Sequence, residues 1–320
     1  MPKLSWEEVA SSADGSHLVA AAWKNGPIYL STNSGLTWAQ TTAPNNYWSS
    51  VSSSADGSKI VATSADAGDN RIYTSTNVGV TWVKTIAPSN YWFSVDSSTD
   101  GTKLVATTRG FIYSSTNAGA TWTQFTVSYN GNWTPGNSTA MSADGTKQAV
   151  IAGGGDAVYI STNTGNTWFI SGLPSDNWSS IACSADGTKF ILAGPSGMIY
   201  TSNDSGTTWM SNSAPKLQWQ SVTCSADGNL LVAASASNTT GEIWKSQAVS
   251  QASLSLTLSL DRHLKISWIM PSTNFALQQS SDLILWADVT NAPVLNLTYL
   301  QNEVLLSSSN QGGFYRLKTP

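Results

Sequence analysis

A tryptophan-led repeat fills about three quarters of this chain of 320 residues. Tryptophans spaced by 41 to 45 residues open segments that run into a Ser/Thr-x-Asp-Gly motif, and in five copies a second tryptophan closes the segment. The opening tryptophans are Trp6, Trp48, Trp92, Trp133, Trp178 and Trp219. The closing tryptophans are Trp38, Trp82, Trp122, Trp168 and Trp209. A period of this length, built from strand-like segments, is typical of a propeller or another repeat array.

The second copy shows how one repeat folds. It contains four β-compatible segments, at residues 48–54, 59–63, 71–75 and 80–84. Asp56-Gly57 between the first two segments is a strong hairpin signal, and four-stranded sheets repeated around a hub are propeller blades. The sequence therefore predicts an all-β fold with a six-bladed propeller over residues 1–250. Because the sixth copy lacks its closing motif, a seven-bladed ring or part of a larger propeller is the alternative.

The closing motif carries a resemblance to a known family. It reads Ser-Thr-Asn-Ser-Gly-Leu-Thr-Trp at 31–38 and Ser-Asn-Asp-Ser-Gly-Thr-Thr-Trp at 202–209. This resembles the Asp-box of sialidase-type (BNR) repeats, with Asn at the acidic position in the other four copies: Asn33, Asn77, Asn117 and Asn163. Either side chain accepts hydrogen bonds from the following amides. The resemblance implies a structural hairpin, and we expect the closing tryptophans to be core residues.

The repeat stops at about Gln251, which predicts a second module over residues 251–320. Residues 253–260 alternate apolar and polar side chains, as in an amphipathic strand. Several further short strand candidates predict a small β-sandwich. The segments 266–268, 275–283 and 314–318 resemble the fibronectin III-like C-terminal β-module of secreted bacterial proteins, which implies an accessory role. Residues 253–260 are also a candidate for the strand that the sixth copy lacks.

Composition restricts the partners. The net charge of −4 and the pI of about 5.0 argue against nucleic acid and anionic membrane surfaces, which require clustered Lys and Arg. No apolar run is long enough to cross a bilayer, so we expect no membrane insertion. No signal peptide stands at Met1, but the Ser/Thr/Asn-rich composition favours an extracellular or cell-surface location. The oligomeric state stays open.

Strand direction predicts a ligand-binding rim. The opening tryptophans and the loops between the second and third strands of each repeat end at the same edge of the sheets. Indole faces beside amide side chains suit a neutral sugar, and repetition gives avidity. The alternative is that these tryptophans pack between blades. The candidate ligand-binding residues are Trp6, Trp48, Trp92, Trp133, Trp178, Trp219, Asn46, Asn90, Asn132, Asn177, Arg71 and Arg109.

Enzymatic functions have weaker support. Sialidases, which the repeat resembles, hold a carboxylate with three arginines, whereas the propeller region has only Arg71 and Arg109. His17 and His263 lie in different modules, which leaves no His-based catalytic group. The aspartates of the Asp-Gly motifs are expected turn residues. The rim carboxylates that remain are Asp66, Asp69 and Asp156.

The sequence therefore favours a secreted, non-catalytic, lectin-like binding module that takes a glycan or cell-surface polysaccharide. A structural, adhesion or protein-interaction propeller is the alternative, and a glycoside hydrolase is a third. Xyloglucanase-type Asp-box enzymes, which would represent the third, resemble two propellers in tandem. We expect no cofactor and no metal, since Cys183 and Cys224 occupy equivalent strand positions as small inward side chains.

Overall fold

The computed structural model describes residues 2–65, 69–108, 110–127, 138–152, 157–174, 176–212, 214–236, 241–247, 255–258, 264–269, 276–282, 284–290, 293–296, 301–306 and 314–318. Every regular element in these segments is a β-strand, and the strands pair antiparallel in eight small sheets. Within the same segments, no helix has the length and apolar character needed to span a membrane.

Each of the first three repeats forms one sheet in chain order. The first sheet comprises β1 (Trp6–Ser11), β2 (Leu18–Ala22), β3 (Ile28–Ser31) and β4 (Ala39–Gln40). The second comprises β5 (Trp48–Ser53), β6 (Ile60–Ser64), β7 (Ile72–Ser75) and β8 (Val83–Lys84). The third comprises β9 (Ser94–Ser97), β10 (Leu104–Thr107), β11 (Phe111–Ser115) and β12 (Thr123–Thr126).

The next three repeats follow the same order, but the last is incomplete. The fourth sheet comprises β13 (Thr139–Met141), β14 (Gln148–Ala152), β15 (Ala157–Ser161) and β16 (Phe169–Ile170). The fifth comprises β17 (Ser180–Cys183), β18 (Phe190–Ala193), β19 (Ile199–Ser202) and β20 (Met210–Ser211). The sixth has three strands in the described residues: β21 (Trp219–Cys224), β22 (Leu230–Ser235) and β23 (Ile243–Gln247).

Two further sheets follow in the C-terminal part. One, in spatial order, contains β24 (Ser255–Leu258), β25 (Leu264–Ile269), β29 (Gln301–Leu306) and β28 (Val294–Asn296). The other contains β27 (Ala287–Asp288), β26 (Ala276–Ser280) and β30 (Phe314–Lys318). Both sheets contribute to one buried cluster, formed by Ile266, Trp268, Leu277, Val304 and Leu306. A fibronectin III-like sandwich and its boundary at residue 251 stay predictions, and the boundary falls outside the described residues.

The Asp-Gly motif forms the turn between the first two strands of each repeat, as predicted. In the second sheet, Asp56 Oδ1 accepts hydrogen bonds from Ser54 Oγ at 2.6 Å and from the Ser58 amide at 2.9 Å. Gly57 has φ +72°, a conformation that suits glycine because it has no Cβ. The carboxylates therefore stabilise the turns, and each turn places the second strand antiparallel beside the first.

The closing motif forms the turn between the third and fourth strands. In the second sheet, Ser75 Oγ accepts a hydrogen bond from the Gly79 amide at 3.0 Å, and Asn77 Oδ1 accepts one from the Thr81 amide at 2.9 Å. Trp82 Nε1 donates to the Gly79 carbonyl at 3.1 Å. The closing tryptophans are half-buried, and four of them pack against the buried apolar clusters, so the expectation of core residues is confirmed only in part: Trp82, Trp122, Trp168 and Trp209 lie at the edge of the core. Each indole covers its own hairpin from outside and keeps one side near solvent.

The buried apolar side chains form a series of clusters between successive sheets. One cluster joins Val61 and Ile72 of the second sheet to Trp92, Val95 and further apolar residues at the start of the third. The other clusters repeat this arrangement along the chain. Each sheet therefore buries its faces against its neighbours, as propeller blades do.

The Asp-Gly turns also connect the sheets. The amide of the residue before Asp donates to the carbonyl of the equivalent residue in the next sheet, at 2.7–2.8 Å, along the series Ala13, Ala55, Thr99, Ala143, Ala185 and Ala226. These bonds form a ladder that runs from turn to turn. Lysines two residues after the turn glycine add a side-chain hydrogen bond to the next turn. Lys147 Nζ, for example, donates to the Asp186 carbonyl at 2.9 Å.

The ladder has two free ends. First strands of successive sheets pack on each other from β1 to β21, but β1 and β21 share no such interface in the described part of the chain. Nothing lies within 4 Å of the position that a Cβ would take at Gly15, whereas the equivalent glycines face the preceding sheet's His17 or lysine. The expected closed ring is therefore not observed, and the blade count stays a prediction.

The candidate strand for completing the sixth sheet was partly misassigned. Residues 253–260 were expected to be able to supply it, but Ser255–Leu258 forms β24 and pairs with β25, with Leu256 opposite Ile266. Residues 253, 254, 259 and 260 lie outside the described segments. The alternating pattern therefore indicates a strand of the C-terminal sheets, and its Leu256 is 53% exposed.

A strained turn residue supplies a test of this fold. Val78 has φ +55°, which a β-branched residue adopts at a cost of about 1 kcal/mol. Val78→Asn should raise the free energy of unfolding by about 0.5–1 kcal/mol in urea titrations, because Asn tolerates this region. Val80→Asn is the matched control in the same turn, without positive φ, and should give no gain. Equal effects of the two variants would contradict the strain.

Candidate functional site

The opening tryptophans do not form an exposed aromatic rim. Trp48, Trp92 and Trp219 are 0% exposed and Trp178 is 1% exposed. Trp6 is half-buried, and Trp133 lies outside the described residues. The alternative interpretation, packing between sheets, describes the four buried indoles. The prediction that the opening tryptophans form a stacking surface for sugar is therefore wrong at these four positions.

Packing against the preceding sheet explains this burial. Trp48 belongs to a cluster with Val19 and Ile28 of the first sheet, and its ring meets Tyr73 edge-on at 5.5 Å. Trp92 Nε1 donates to the Asn70 carbonyl at 3.2 Å. Among the described residues, the Nε1 atoms of the remaining buried indoles have no hydrogen-bond partner: Trp48, Trp178 and Trp219.

The loop contacts confirm the prediction that the opening tryptophans and the loops between the second and third strands lie at one edge of the sheets. The Asn46 and Gly26 backbones exchange hydrogen bonds at 2.9 and 3.0 Å, and the Asn90 amide donates to the Asn70 carbonyl at 3.1 Å. These bonds join the segments before the opening tryptophans to the loops between the second and third strands. Binding by the rim asparagines stays a prediction, since Asn46 is buried, Asn90 half-buried, Asn177 exposed and Asn132 outside the described residues.

Arg71 is held by its own neighbours. Its Nη1 donates to the Ala87 carbonyl at 2.7 Å, and its Nε lies 3.9 Å from Asp69 Oδ1. Asp69 also accepts hydrogen bonds from Tyr73 Oη at 2.6 Å and Lys84 Nζ at 3.1 Å, and these contacts hold its pKa below the usual range. Arg71 and Asp69 are thus paired within their own sheet, and ligand binding by Arg71 stays a prediction. The candidates Arg109, Asp66 and Asp156 lie outside the described residues.

Two carboxylates on first strands, Glu8 of β1 and Asp96 of β9, were missed by the sequence analysis. Asp96 Oδ1 accepts hydrogen bonds from Ser52 Oγ at 3.1 Å and the Ser97 amide at 2.8 Å. Glu8 Oε2 accepts one from the Val51 amide at 2.9 Å. Burial raises the pKa of Asp96 to about 7, with a smaller contribution from Glu8, whose own pKa is also raised by burial. The sequence signal was an acidic residue on each of two first strands, at positions where the other first strands carry uncharged side chains.

The two cysteines are structural. Both are free and half-buried. Burial raises the pKa of the Cys224 thiol to about 12 and that of Cys183 well above its usual value, with the neighbouring Cys224 as a further cause. Thiols of this kind are poor nucleophiles and poor metal ligands. Within the described residues, no group of three His, Cys, Asp or Glu side chains could hold a metal ion.

A cleft between the fifth and sixth sheets corresponds to a smaller one between the second and third sheets. Between the second and third sheets, the cavity lined by Lys59, Thr74, Ser75 and Ala118 measures about 10 Å³. Between the fifth and sixth sheets, the cavity lined by Lys189, Thr201, Ser202, Asn229 and Ser246 measures about 200 Å³. Ala118 belongs to the closing turn of the third sheet, and the described part of the sixth sheet has no such turn. The absence of that residue from the lining accounts for the larger cavity.

The Asp96 carboxyl group gives a prediction with a defined pH dependence. Because the folded-state pKa of Asp96 is raised from 3.8 to about 7, the native state holds the proton longer than the unfolded chain. Stability therefore falls as the pH rises from about 4 to 7. Asp96→Asn should raise the free energy of unfolding at pH 8 by about 1–3 kcal/mol and flatten its pH dependence in this window.

Asp14→Asn is the control with the opposite sign. Hydrogen bonds from Ser12 and Ser16 lower the pKa of the exposed Asp14 carboxyl to about 2. The stability that this group contributes is present above pH 4 and is lost as the pH falls through about 2, so its removal should lower stability at neutral pH. Urea unfolding at pH 4, 6 and 8 checks both variants. An unchanged pH slope in Asp96→Asn would contradict the assignment.

The comparisons with known proteins show the fold. No protein-family model matches the sequence, and no curated protein is similar to it. The structure is similar to YCF48 bound to D1 peptide, with a TM-score of 0.56, 13% identity, and 82% of this chain and 88% of that one covered. It is similar to YCF48 from Cyanidioschyzon merolae, with a TM-score of 0.56, 16% identity and coverage of 82% and 92%.

An ancestral GH74 enzyme is also similar, with a TM-score of 0.57 and 16% identity. The match covers 83% of this chain but only 36% of that enzyme. At these identities the similarity establishes architecture alone. Together with the succession of small antiparallel sheets, it shows that the chain has an all-β, propeller-type fold.

Proposed function

We propose that this chain is a non-catalytic protein-binding propeller whose partner covers the free faces of its first and sixth sheets. The observation that carries the proposal is the exposure of apolar side chains at repeat positions that are buried in every other described sheet. Exposed apolar surface of this kind marks protein contacts in soluble proteins.

On the first sheet the exposed residue is Val9. Its equivalents in the other sheets are 3–6% exposed because the preceding sheet covers them, as the series Val51, Val95, Ala140, Ile181 and Val222 shows. Val9 is 68% exposed. The Ala13 carbonyl nearby has no partner in the described residues, although each equivalent carbonyl accepts a bond from the preceding sheet. This face therefore offers an apolar side chain and a backbone acceptor to a partner.

On the sixth sheet the exposed residue is Ile243. Its equivalents are 0–1% exposed because the next sheet covers them: Ile28, Ile72, Ile112, Val158 and Ile199. Ile243 is 80% exposed. The Ala226 amide, the donor that should continue the ladder, has no partner among the described residues. A protein partner supplies both the apolar cover and the backbone groups that these ends need.

Similar structures support a binding role and give less support to catalysis. YCF48 has been solved with a D1 peptide bound, which is a protein ligand on the same fold. The similarity to the GH74 enzyme covers about a third of that enzyme. The described acids are engaged in structural hydrogen bonds: the turn aspartates within their turns, and Asp69 with Tyr73 and Lys84. The carboxylates of Asp96 and Glu8 accept hydrogen bonds from Ser52 and from the backbone amides of Ser97 and Val51. Secretion of the chain remains part of the proposal.

Site-specific substitution tests the protein-binding proposal. Val9→Asp and Ile243→Asp should each reduce by about tenfold or more the retention of a partner captured from native extract on immobilised protein, because a buried carboxylate opposes docking. Val80→Asp is the matched control, since Val80 is 64% exposed in a closing turn away from both faces. Quantitative mass spectrometry measures retention. Equal retention by all three variants would remove the free faces from consideration.

Carbohydrate binding is the second candidate, and the half-buried Trp6 and the exposed Asn177 are the rim groups that favour it. If it holds, a glycan array should give a signal that Trp6→Ala lowers several-fold through loss of ring stacking, while Val9→Asp leaves it unchanged. Circular dichroism controls for folding. An array without signal above background eliminates the lectin-like alternative and leaves the protein-binding proposal standing.

A further inference from the structure

In the described residues, the sixth sheet has no closing turn of the kind that follows the third strand in the first five sheets. From the second sheet onward, the residues of that turn lie against the third strand of the preceding sheet. Gly119 faces Thr74 in this way, and Gly206 faces Ile160. β23 ends at Gln247, and Ala248-Val249 follow where the motif would continue. Among the described residues, the third strand of the fifth sheet therefore has no closing turn against it, and the cleft of about 200 Å³ lies there.

The two clefts match position by position, which shows what the larger one is shaped to hold. Lys59, Thr74 and Ser75 in the filled cleft correspond to Lys189, Thr201 and Ser202 in the open one. Every residue of the filled cleft has a counterpart except Ala118, which belongs to the closing turn. The open cleft thus has the walls of a turn-binding site and no turn in the described residues.

Ser246 retains the hydrogen-bonding function of the missing turn. The equivalent serines are Ser31, Ser75, Ser115, Ser161 and Ser202, and each Oγ accepts the amide of the turn glycine at 2.9–3.0 Å. Ser246 lines the open cleft, and its hydroxyl has no partner among the described residues. A ligand that presents a glycine amide would reproduce a bond that the fold makes five times.

The adjoining edge of β23 is also free in the described residues. In the other sheets a short fourth strand pairs with the third, as Tyr200 and Thr201 pair with Ser211 and Met210. The corresponding residues of β23 are Trp244 and Lys245, which pair only with β22 on their inner side. An extended peptide can add to such an edge through its main chain.

We propose that the cleft and the β23 edge together bind an extended peptide of a partner protein. The peptide carries an Asn/Asp-x-Gly turn that fills the cleft and donates to Ser246 Oγ, and its next residues pair antiparallel with Trp244 and Lys245. This inference rests on the proposed protein-binding function and adds a contact separate from the free faces. Residues 248–254 of the chain contain no Gly, Asn or Asp, so they cannot provide this turn.

The probe for this site is a fluorescein-labelled peptide with the sequence of residues 203–211, which includes the turn and fourth strand of the fifth sheet. Fluorescence anisotropy with the full chain should give a saturable isotherm. Ser246→Arg should weaken binding about tenfold or more by filling the cleft, and Ser246→Ala a few-fold by removing the acceptor. Ser221→Ala is the matched control on an exposed serine of the same sheet, and should bind like the parent.

A second peptide and a second readout sharpen the test. The same peptide with Gly206→Val should bind about tenfold more weakly, because its turn needs positive φ. Hydrogen exchange should show the amides of β23 unprotected on the outer edge in the free chain and slowed by the peptide. The inference is overturned if no binding saturates at millimolar peptide, if Ser246→Arg binds equally well, or if the free chain already protects that edge. Val9→Asp should bind normally, so that failure here is distinct from failure of the free-face proposal.

Discussion

The hydrogen-bond ladder between Asp-Gly turns is the constraint on which the arrangement of sheets depends. Each rung joins the amide before one aspartate to the carbonyl before the next, at 2.7–2.8 Å, and thereby fixes the spacing and register of two sheets. Buried backbone groups require such partners. With two sheets held at this spacing, the opening tryptophan of the second lies against the apolar face of the first, as Trp48 and Trp92 do. The ladder and the buried indoles therefore stabilise the same interface.

Repeat architecture could be read from the sequence because it depends on local chemistry. Asp-Gly pairs and closing motifs determine turns through groups a few residues apart, and the structure places sheets where these motifs predict them. Strand direction likewise predicted that the loops and the opening tryptophans share an edge. These inferences needed no knowledge of how one sheet packs on another.

The burial of the tryptophans depends on contacts between repeats, which a local motif does not encode. Trp48 and Trp82 are both aromatic residues in strands or turns, yet one is fully buried and the other is half-buried. Both belong to the interface of the first and second sheets, Trp48 inside the buried cluster and Trp82 at its edge, where its ring nitrogen also bonds to the closing turn. The open end at the sixth sheet had a sequence signal that was overlooked. The lysine that bridges to the next sheet in repeats two to five is replaced by His17 in the first repeat and by the apolar Leu230 in the sixth, where no next sheet is described.

The two ends of the ladder are chemically different. At the first sheet, Asp14, Gly15 and Val9 retain the repeat pattern, so that face still presents the usual half of an inter-sheet contact. At the sixth sheet, Leu230 and the missing closing turn depart from it, while Ser246 keeps its place. A face that retains the pattern suits a partner that mimics a neighbouring sheet. An end without the closing motif that keeps its hydrogen-bonding serine suits a partner that supplies such a turn. The chain therefore presents two kinds of protein contact, and their chemistry follows from which repeat residues each end has kept.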